Sequence, residues 1–392
     1  MASLSQFAGT AGTAGTAGTA GTAGTAGTAG TAGTVATGGT GIASYDPLTT
    51  TALLTSRDGI VGGWTSPGGN VPAPLPTNPN VTLEVWGPVE RASIFHAELF
   101  SRLNFVTDEA VPSDEETRRV TVRHLEVGPP ALQPLFNIVR PREALLIGQL
   151  DSVFSHADLR ADRSAEILAQ LGIPFPFFNS IAAYMDLSRT PKTLELLLAA
   201  LRFTYAVVMQ VKHGLACRRP HEYSPQIQPL IPSPLHGTLP SGHATEASMA
   251  AYLLWMFFRG VAAVPGARAT QYAQESWGTQ LMRLAARIAI NRTVAGVHFP
   301  VDSIAGMILG LTLGQYFVAR CTHGANYQAW AMDGNAIPGS PPFEWQALFD
   351  VTSASITTVP PYISNPGNQT LAAAGHSAAL AWIWNEALEE WH

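Results

Sequence analysis

Residues 240–259 read PSGHATEASMAAYLLWMFFR, a proline–glycine turn followed by a long apolar run. The pattern predicts a helix that begins after PSGH and ends near Arg259. At the positive N-terminal end of such a helix, Ser241 and Gly242 can offer a hydroxyl and backbone N–H groups to an anion. Glycine also allows an anion to approach the backbone closely. The stretch therefore indicates an anion site at the start of a buried helix.

Helical periodicity also marks the segments on both sides of this stretch. Further helices are predicted near 88–105, 141–171, 174–187, 190–214 and 269–291, and from Pro300 onward. For the 190–214 segment, Thr190 is the expected N-cap, Pro191 lies in the first turn and Gly214 closes the end. Strand-like alternation is largely confined to RRVTVRHLEV (118–127), and the tail from 325 is rich in loop residues, with a last short helix around 370–390. The expected fold class is mostly α.

The N-terminal part has a different composition. Residues 8–34 repeat Ala-Gly-Thr nine times, and TSPGGNVPAPLPTNPN (65–80) is rich in Pro and Gly. Without large side chains to bury, the repeat is not expected to offset its ordering entropy. We therefore expect residues 1–81 to be a largely disordered repeat and linker, and residues 82–392 to form a single α-helical domain.

Composition excludes several classes of protein. The 392-residue chain carries a net charge of −6, which argues against a nucleic-acid binder. Its two cysteines, Cys217 and Cys321, form neither a disulfide framework nor a CxxC metal pattern. The apolar run 303–319 is at the lower length limit for a membrane span, and MASLSQF does not resemble a signal peptide. A soluble protein, cytoplasmic and not associated with a membrane, is expected.

Cationic side chains end two apolar helix faces. Lys212 continues one such face after Val208, Arg292 continues another after Ile288, and Arg219 lies seven residues beyond Lys212. Any one of them alone would usually pair with a carboxylate or reach solvent, but carboxylates are scarce nearby. Three converging cations suggest a small, multiply charged oxyanion, which the guanidinium group of arginine binds bidentately.

Two histidines and a carboxylate complete this pattern. In NRTVAGVHFPVD (291–302), Pro300 is expected in the first turn of a helix, so Asp302 can hydrogen-bond the ring of His298. That bond would fix the tautomer and make the other ring nitrogen a better ligand or nucleophile. His243, beside the predicted anion, can exchange a proton with it. A capping carboxylate and a structural histidine remain the alternative interpretation.

Three motifs occur in order: Lys-x6-Arg-Pro at 212–220, Pro-Ser-Gly-His at 240–243 and Arg-x5-His-x3-Asp at 292–302. Together they resemble the superfamily that joins vanadium-dependent haloperoxidases with type-2 phosphatidic acid phosphatases and bacterial acid phosphatases. The resemblance covers residues 190–312 and implies a helical bundle of the haloperoxidase and acid phosphatase type.

The resemblance also implies roles for the motif residues. Vanadate or phosphate would be held by Lys212, Arg219, Ser241, Gly242 and Arg292. His298 would be the vanadium ligand in a haloperoxidase or the phosphorylated nucleophile in a phosphatase. His243 would be the acid–base group and Asp302 would orient His298, while Lys212 would also hydrogen-bond peroxide.

Two positions separate the subfamilies. His236, seven residues before His243, corresponds to a position bordering the halide site, where bromoperoxidases typically carry His and chloroperoxidases an aromatic residue. Asn291 replaces a serine common in the phosphatases. The resemblance therefore favours a bromoperoxidase-like enzyme with vanadate as cofactor, acting on hydrogen peroxide, halide and a small organic acceptor as a homodimer or larger homo-oligomer. His236 as an ordinary loop histidine is the alternative.

Other functions remain open at this stage. A soluble acid phosphatase could use the same residues through phospho-His298. A membrane lipid phosphatase is disfavoured by the lack of several clean spans, and an oxyanion-binding or surface protein could depend mainly on the Ala-Gly-Thr repeat.

Overall fold

The computed structural model describes residues 47–66, 68–69, 73–74, 79–110, 114–126, 130–266, 269–324, 326–358, 360–372 and 375–392. The Ala-Gly-Thr repeat at 8–34, for which the sequence predicts disorder, lies outside the described residues. Within the predicted linker, Pro47–Ile60 forms a helix (α1) whose described side chains are exposed. Sequence periodicity did not indicate this helix.

Helices make up most of the described chain, in agreement with the predicted class. After α1 they are α2 (Pro79–Val85), α3 (Pro88–Phe100), α4 (Glu143–Gly148), α5 (Leu150–His156), α6 (Arg160–Ala169), α7 (Phe175–Ile181), α8 (Pro191–Leu215), α9 (Pro220–Tyr223), α10 (Gly242–Ala263), α11 (Glu275–Val294), α12 (Pro300–Cys321), α13 (Trp345–Leu348) and α14 (Ala378–Glu389). Short 3-10 turns occur at Glu115–Thr117, Ala157–Leu159, Pro225–Ile227, Thr270–Ala273 and Gly334–Ala336.

A mixed sheet accompanies the helices, and the sequence analysis missed most of it. The strands are β1 (Leu103–Glu109), β2 (Arg118–Glu126), β3 (Ala131–Val139), β4 (Asn326–Asp333), β5 (Phe349–Asp350), β6 (Ser355–Ile356) and β7 (Ile363–Thr370). Five of them form one sheet in the order β1-β2-β3-β4-β7, in which only β3 and β4 are parallel. Only β2 was indicated by alternation. The tail predicted as loop contributes β4 and β7, and β7 escapes detection because its ISNPGNQT sequence contains Pro and Gly.

Helix α10 lies at the centre of the helical layer and packs against α8, α11 and α12. Three glycines at four-residue spacing on α12 allow its close approach to α10. A Cβ on Gly306 would lie 2.7 Å from the Ser241 carbonyl oxygen, one on Gly314 2.7 Å from the Tyr252 ring, and one on Gly310 would collide with the Thr245 carbonyl. The glycines therefore hold the start of α12, which carries Asp302, against the start of α10.

The long helix α8 packs against the sheet. It begins after Thr190, but the Thr190 side chain bonds to the Asp186 backbone and does not cap the helix. Gly214 does not end the helix, which runs to Leu215 and is closed by Ala216 in the left-handed conformation. A side chain at Gly214 would instead clash with Val120 and Thr107 of the sheet, so the glycine serves close packing.

Two stretches of the described chain are long and apolar enough to cross a membrane, Pro191–Tyr223 and Pro300–Cys321. Buried core helices of soluble proteins meet the same criteria, and the second stretch is entirely buried within the fold.

Candidate active site

The three motifs meet at one cavity of about 310 Å³. Its wall includes Arg219 from the loop after α8, Gly242 and His243 from the start of α10, Arg292 near the end of α11, and His298 just before α12. His236 also lines it. Lys212, Ser241 and Asp302 are buried beside these residues and do not form part of the wall.

Lys212 is fixed by the loop that precedes α10. Its Nζ donates hydrogen bonds to the carbonyl oxygens of Gly237 and Thr238, each at 2.8 Å. Burial, followed by the neighbouring Arg219, lowers the pKa of Lys212 well below its usual value. An ammonium group has three N–H donors, so one remains for an anion.

Arg219 is held mainly by backbone carbonyls. Its Nε donates to the oxygen of His236 at 3.0 Å and its Nη1 to the oxygen of Val297 at 2.8 Å, while Nη1 also lies 3.5 Å from Nε2 of His298. Burial lowers the pKa of Arg219 to about 10, so it remains a cation at neutral pH. The guanidinium thereby brings a positive charge next to the His298 ring.

Arg292 is the cation of this cluster with buried hydrogen-bond donors that lack a partner among the described residues. It is fully buried, and only Nη2 finds good partners, chiefly Oε1 of Gln170 at 2.8 Å. Its Nε and Nη1 have no hydrogen-bond partner among the described residues. Leaving buried donors of a charged group without partners costs several kcal/mol in general, so a bound anion would relieve a real penalty.

The start of α10 supplies the helix-terminus part of the site. Ser241 is the N-cap, and its Oγ accepts from the Ala244 backbone N–H at 3.4 Å, which leaves its own O–H free to donate. A Cβ on Gly242 would meet only Val208 Cγ1, at 4.0 Å. Glycine at 242 is therefore not demanded by protein packing, and a side chain there would enter open space beside the cavity.

His243 is set up as a proton acceptor. Its Nε2 lies 3.1 Å from the backbone oxygen of Gln170, which can only accept, so Nε2 carries the hydrogen and Nδ1 is free to accept a proton. Burial and the charge of Arg292 lower the pKa of His243 well below its usual value. The ring is consequently neutral near pH 7.

His298 is oriented from behind by a carboxylate and a hydroxyl. Its Nδ1 lies 3.0 Å from Asp302 Oδ2 and 3.0 Å from Thr238 Oγ1. Asp302 Oδ2 also accepts from the Thr238 hydroxyl and, at 2.8 Å, from the Phe299 backbone N–H. With Nδ1–H directed to Asp302, Nε2 presents a lone pair on the cavity side.

The ionisable side chains in this cluster have pKa values shifted away from their usual values. Burial, followed by Arg219 and Lys212, lowers the pKa of His298 well below its usual value. Burial also raises the pKa of Asp302 to about 6, against the opposing effect of its hydrogen bonds from Thr238 and Phe299. Glu246, whose carboxylate lies on the cavity wall, has its pKa raised to about 7 by burial. Clustered shifts of this kind are typical of functional sites.

Gln170, just after α6, connects two site residues, and the sequence analysis did not find it. Its side-chain oxygen accepts from Arg292 and Asn291, and its backbone oxygen accepts from His243. Asn291 also donates to Glu166 at 2.9 Å, so it anchors α6, and it is not among the described residues that line the cavity. No local pattern marks Gln170, because its role depends on the packing of α6 against α11. Thr238 lies inside the conspicuous HGTLPSGH stretch and could have been suspected from that position.

The fold and the cavity define a mostly helical protein in which several buried cationic side chains and histidines surround one cavity. The model of the PAP2 superfamily matches residues 193–325, an interval that contains every motif residue from Lys212 to Asp302. This superfamily includes phosphatases and haloperoxidases, and its members are typically enzymes. No match was found among curated proteins.

Proposed function

We propose that the chain is a vanadate-dependent haloperoxidase that uses hydrogen peroxide to oxidise halide, with bromide and iodide favoured. The product is a hypohalous acid equivalent that halogenates small organic compounds. The observation that carries this choice is His236, which lines the cavity with its Nε2 buried and without a partner among the described residues. Its Nδ1 lies 3.3 Å from Arg219 Nη2. The Gly237 carbonyl oxygen, 3.1 Å from the same Nδ1, competes with Arg219 because it can only accept a hydrogen bond. Our proposal uses the tautomer in which Nδ1 accepts from Arg219, since Nε2–H is then available to a halide.

The residues present fit vanadate. The unpartnered Nε and Nη1 of Arg292 and the open space at Gly242 match an oxyanion. Lys212, Arg219 and Ser241 would complete its hydrogen-bonding shell, and Nε2 of His298 would be the single protein ligand to the metal. When bound, vanadate supplies Lewis-acid activation of hydrogen peroxide toward halide without a change of metal oxidation state.

Within the described residues, no group of three or more His, Cys, Asp or Glu side chains is placed to hold a metal ion. An oxyanion held mainly by hydrogen bonds does not require such a group.

The protein side chains would manage the protons and charge of the reaction. The balance is one hydrogen peroxide, one halide and one proton giving hypohalous acid and water. His243, neutral and with Nδ1 free, accepts a proton as peroxide enters and returns it later. Lys212, Arg219 and Arg292 stabilise negative charge without reorganising, because backbone carbonyls and Gln170 hold them in place.

A second function, acid phosphatase through phospho-His298, is favoured by the same His298–Asp302 pair. A neutral imidazole whose Nδ1–H is directed to a carboxylate has the geometry of an activated nucleophile. In this reaction the cations would hold the phosphoryl oxygens and His243 would protonate the leaving group.

One assay separates these proposals. The purified full chain is tested with hydrogen peroxide and bromide, iodide or chloride, with and without orthovanadate, and separately with a chromogenic phosphate ester. We expect halide oxidation that requires vanadate and is lost in His298→Ala. Ester hydrolysis that vanadate inhibits, with no halide oxidation at any pH, would instead establish the phosphatase. A soluble, cytoplasmic homo-oligomer stays a prediction.

A further inference from the structure

The cavity is larger and more apolar than a small oxyanion, peroxide and halide require. Its volume of about 310 Å³ lies at the lower end of the range typical for pockets that bind organic molecules, ~300–1,000 Å³. Away from the cations, its wall is formed by Leu171, Met209, Ile231, Pro232 and Val297. This apolar part can take up the body of a small organic compound.

Glu246 is a charged residue of the cavity wall that has no role in the proposed haloperoxidase reaction. It lies on α10 one turn after His243, lines the cavity, and is only 8% exposed. Its carboxylate makes no hydrogen bond or ion pair with a described residue. A buried carboxylate without a partner is costly, and a bound donor would offset that cost.

The surroundings of Glu246 show which donor would fit. Tyr205 lines the same cavity, and burial, followed by the charge of Glu246, raises the pKa of the Tyr205 phenol. Arg219 and Arg292 also line the cavity, and their contacts among the described residues are with loop carbonyls, histidine rings and Gln170, not with Glu246. Glu246 is therefore the acidic group of the wall that remains free, and it faces an apolar space with an aromatic ring. An apolar molecule carrying a cationic nitrogen matches both features.

We propose that the apolar part of the cavity is an acceptor site for small arylalkylamines, whose ammonium group binds Glu246. This proposal rests on the proposed haloperoxidase function, since it names the class of compound that receives the halogen. The step balances: an aromatic carbon gives its electron pair to the halogen of hypohalous acid, the C–H proton leaves, and it combines with hydroxide to give water. Glu246 and His243 are three residues apart on one face of α10. An amine bound to Glu246 would therefore lie about one helical turn from His243.

Binding measurements test the site without relying on turnover. The full chain is titrated calorimetrically with tryptamine, 3-methylindole and indole-3-acetate at pH 8. Inorganic phosphate is present at saturation, so that it occupies the side of the cavity lined by Arg219 and Arg292. We expect tryptamine to bind at least tenfold more tightly than 3-methylindole, and indole-3-acetate to bind most weakly. In Glu246→Gln the tryptamine preference should disappear, while the affinities for 3-methylindole and phosphate stay within threefold of wild type.

Two further variants guard against indirect effects. Glu275→Gln removes an exposed carboxylate at the start of α11 and should leave all affinities unchanged. Met209→Trp should weaken both indoles by filling the cavity, while phosphate still binds. The proposal is overturned if Glu246→Gln retains the tryptamine preference, or if wild type binds none of the indoles. If the chain binds tryptamine but oxidises no halide, the amine site is supported and the haloperoxidase function is ruled out.

Discussion

Gln170 accepts a hydrogen bond from Arg292 Nη2 at 2.8 Å through its side chain, and the same residue holds His243 through its backbone carbonyl. One residue outside the motifs thus orients both a cation of the proposed oxyanion site and its proposed acid–base group. The side chain is neutral, so it positions Arg292 without consuming its charge. This relationship predicts that charge, more than shape, matters at position 170.

Gln170→Glu should weaken binding of phosphate or vanadate by roughly 10- to 100-fold, the worth of a hydrogen bond to a charged group. The new carboxylate would pair with Arg292 and compete with the bound oxyanion. Gln170→Ala should cost less, because Arg292 keeps its full charge. Calorimetric titration measures both affinities, and Gln271→Glu on an exposed turn provides the control. Equal affinities for Gln170→Glu and wild type would contradict this role.

Gly310→Ala should lower the free energy of unfolding, whereas Gly242→Ala should lower the affinity for an oxyanion. At Gly310 a methyl group would press on the Thr245 carbonyl and on Ser248, so we expect a loss of about 1–3 kcal/mol in unfolding free energy. At Gly242 the methyl group meets only Val208 at 4.0 Å, so stability should be nearly unchanged while oxyanion affinity falls. Chemical denaturation and phosphate titration of both variants test the pair. Loss of stability without loss of affinity in Gly242→Ala would show that this position does not face the anion.

Asp302→Asn should reduce vanadate affinity by roughly 10- to 100-fold, as is typical when the partner of a ligating histidine is replaced. The amide no longer fixes the Nδ1–H tautomer of His298 that leaves Nε2 as a lone pair. Thr238→Ser keeps the hydroxyl that contacts both residues, and it should behave like wild type. Vanadate affinity and the pH dependence of turnover are the measurements. An unchanged affinity in Asp302→Asn would mean that His298 is positioned by packing alone.

His236→Phe should lower the ratio of kcat/KM for bromide over chloride, on the order of tenfold if one hydrogen bond to a charged group is lost. The reason is the buried Nε2 of His236 at the cavity wall, which phenylalanine lacks. His213→Phe makes the same change at an exposed histidine that does not line the cavity and should leave the ratio unaltered. An unchanged ratio in His236→Phe would show that His236 does not contribute to the halide site.

The free energy of unfolding should fall as pH drops from 6.5 toward 4. Burial lowers the pKa values of His96 and His236 to about 4. Below pH 6.5 these two histidines bind protons in the unfolded chain but not in the folded one, so acid favours unfolding across this window. Two carboxyl groups with raised pKa values act in the opposite direction: Asp302 between its ordinary value of 3.8 and about 6, and Glu246 between 4.5 and about 7. Denaturation at several pH values should show a shallower decline in His96→Gln, which lies outside the site, than in wild type.

Much of the helical frame and the identity of the site residues could be read from the sequence. The helices α8, α10, α11 and α12 begin or end within a few residues of the predicted bounds, because apolar periodicity and proline or glycine at the ends are local signals. Lys212, Arg219, Arg292, His243 and His298 stood out because charged or titratable side chains lay on apolar helix faces or beside glycine and proline. The sheet was missed, since Phe136 of β3 pairs with Trp330 of β4, 194 residues later, and β7 resembles a loop.

The sequence by itself determined which chemical groups are available: three cations, two histidines and a carboxylate whose spacing is preserved by rigid helices. Only the tertiary structure decided their partners. It placed Gln170 between Arg292 and His243 and the carboxylate of Glu246 on the cavity wall. Among the described residues it also left two donors of Arg292 unpaired. These relationships join residues more than 70 positions apart, as in the bond from His243 to Gln170, so no local pattern encodes them. They arise because burying the apolar helix faces leaves each polar group only the neighbours that packing provides.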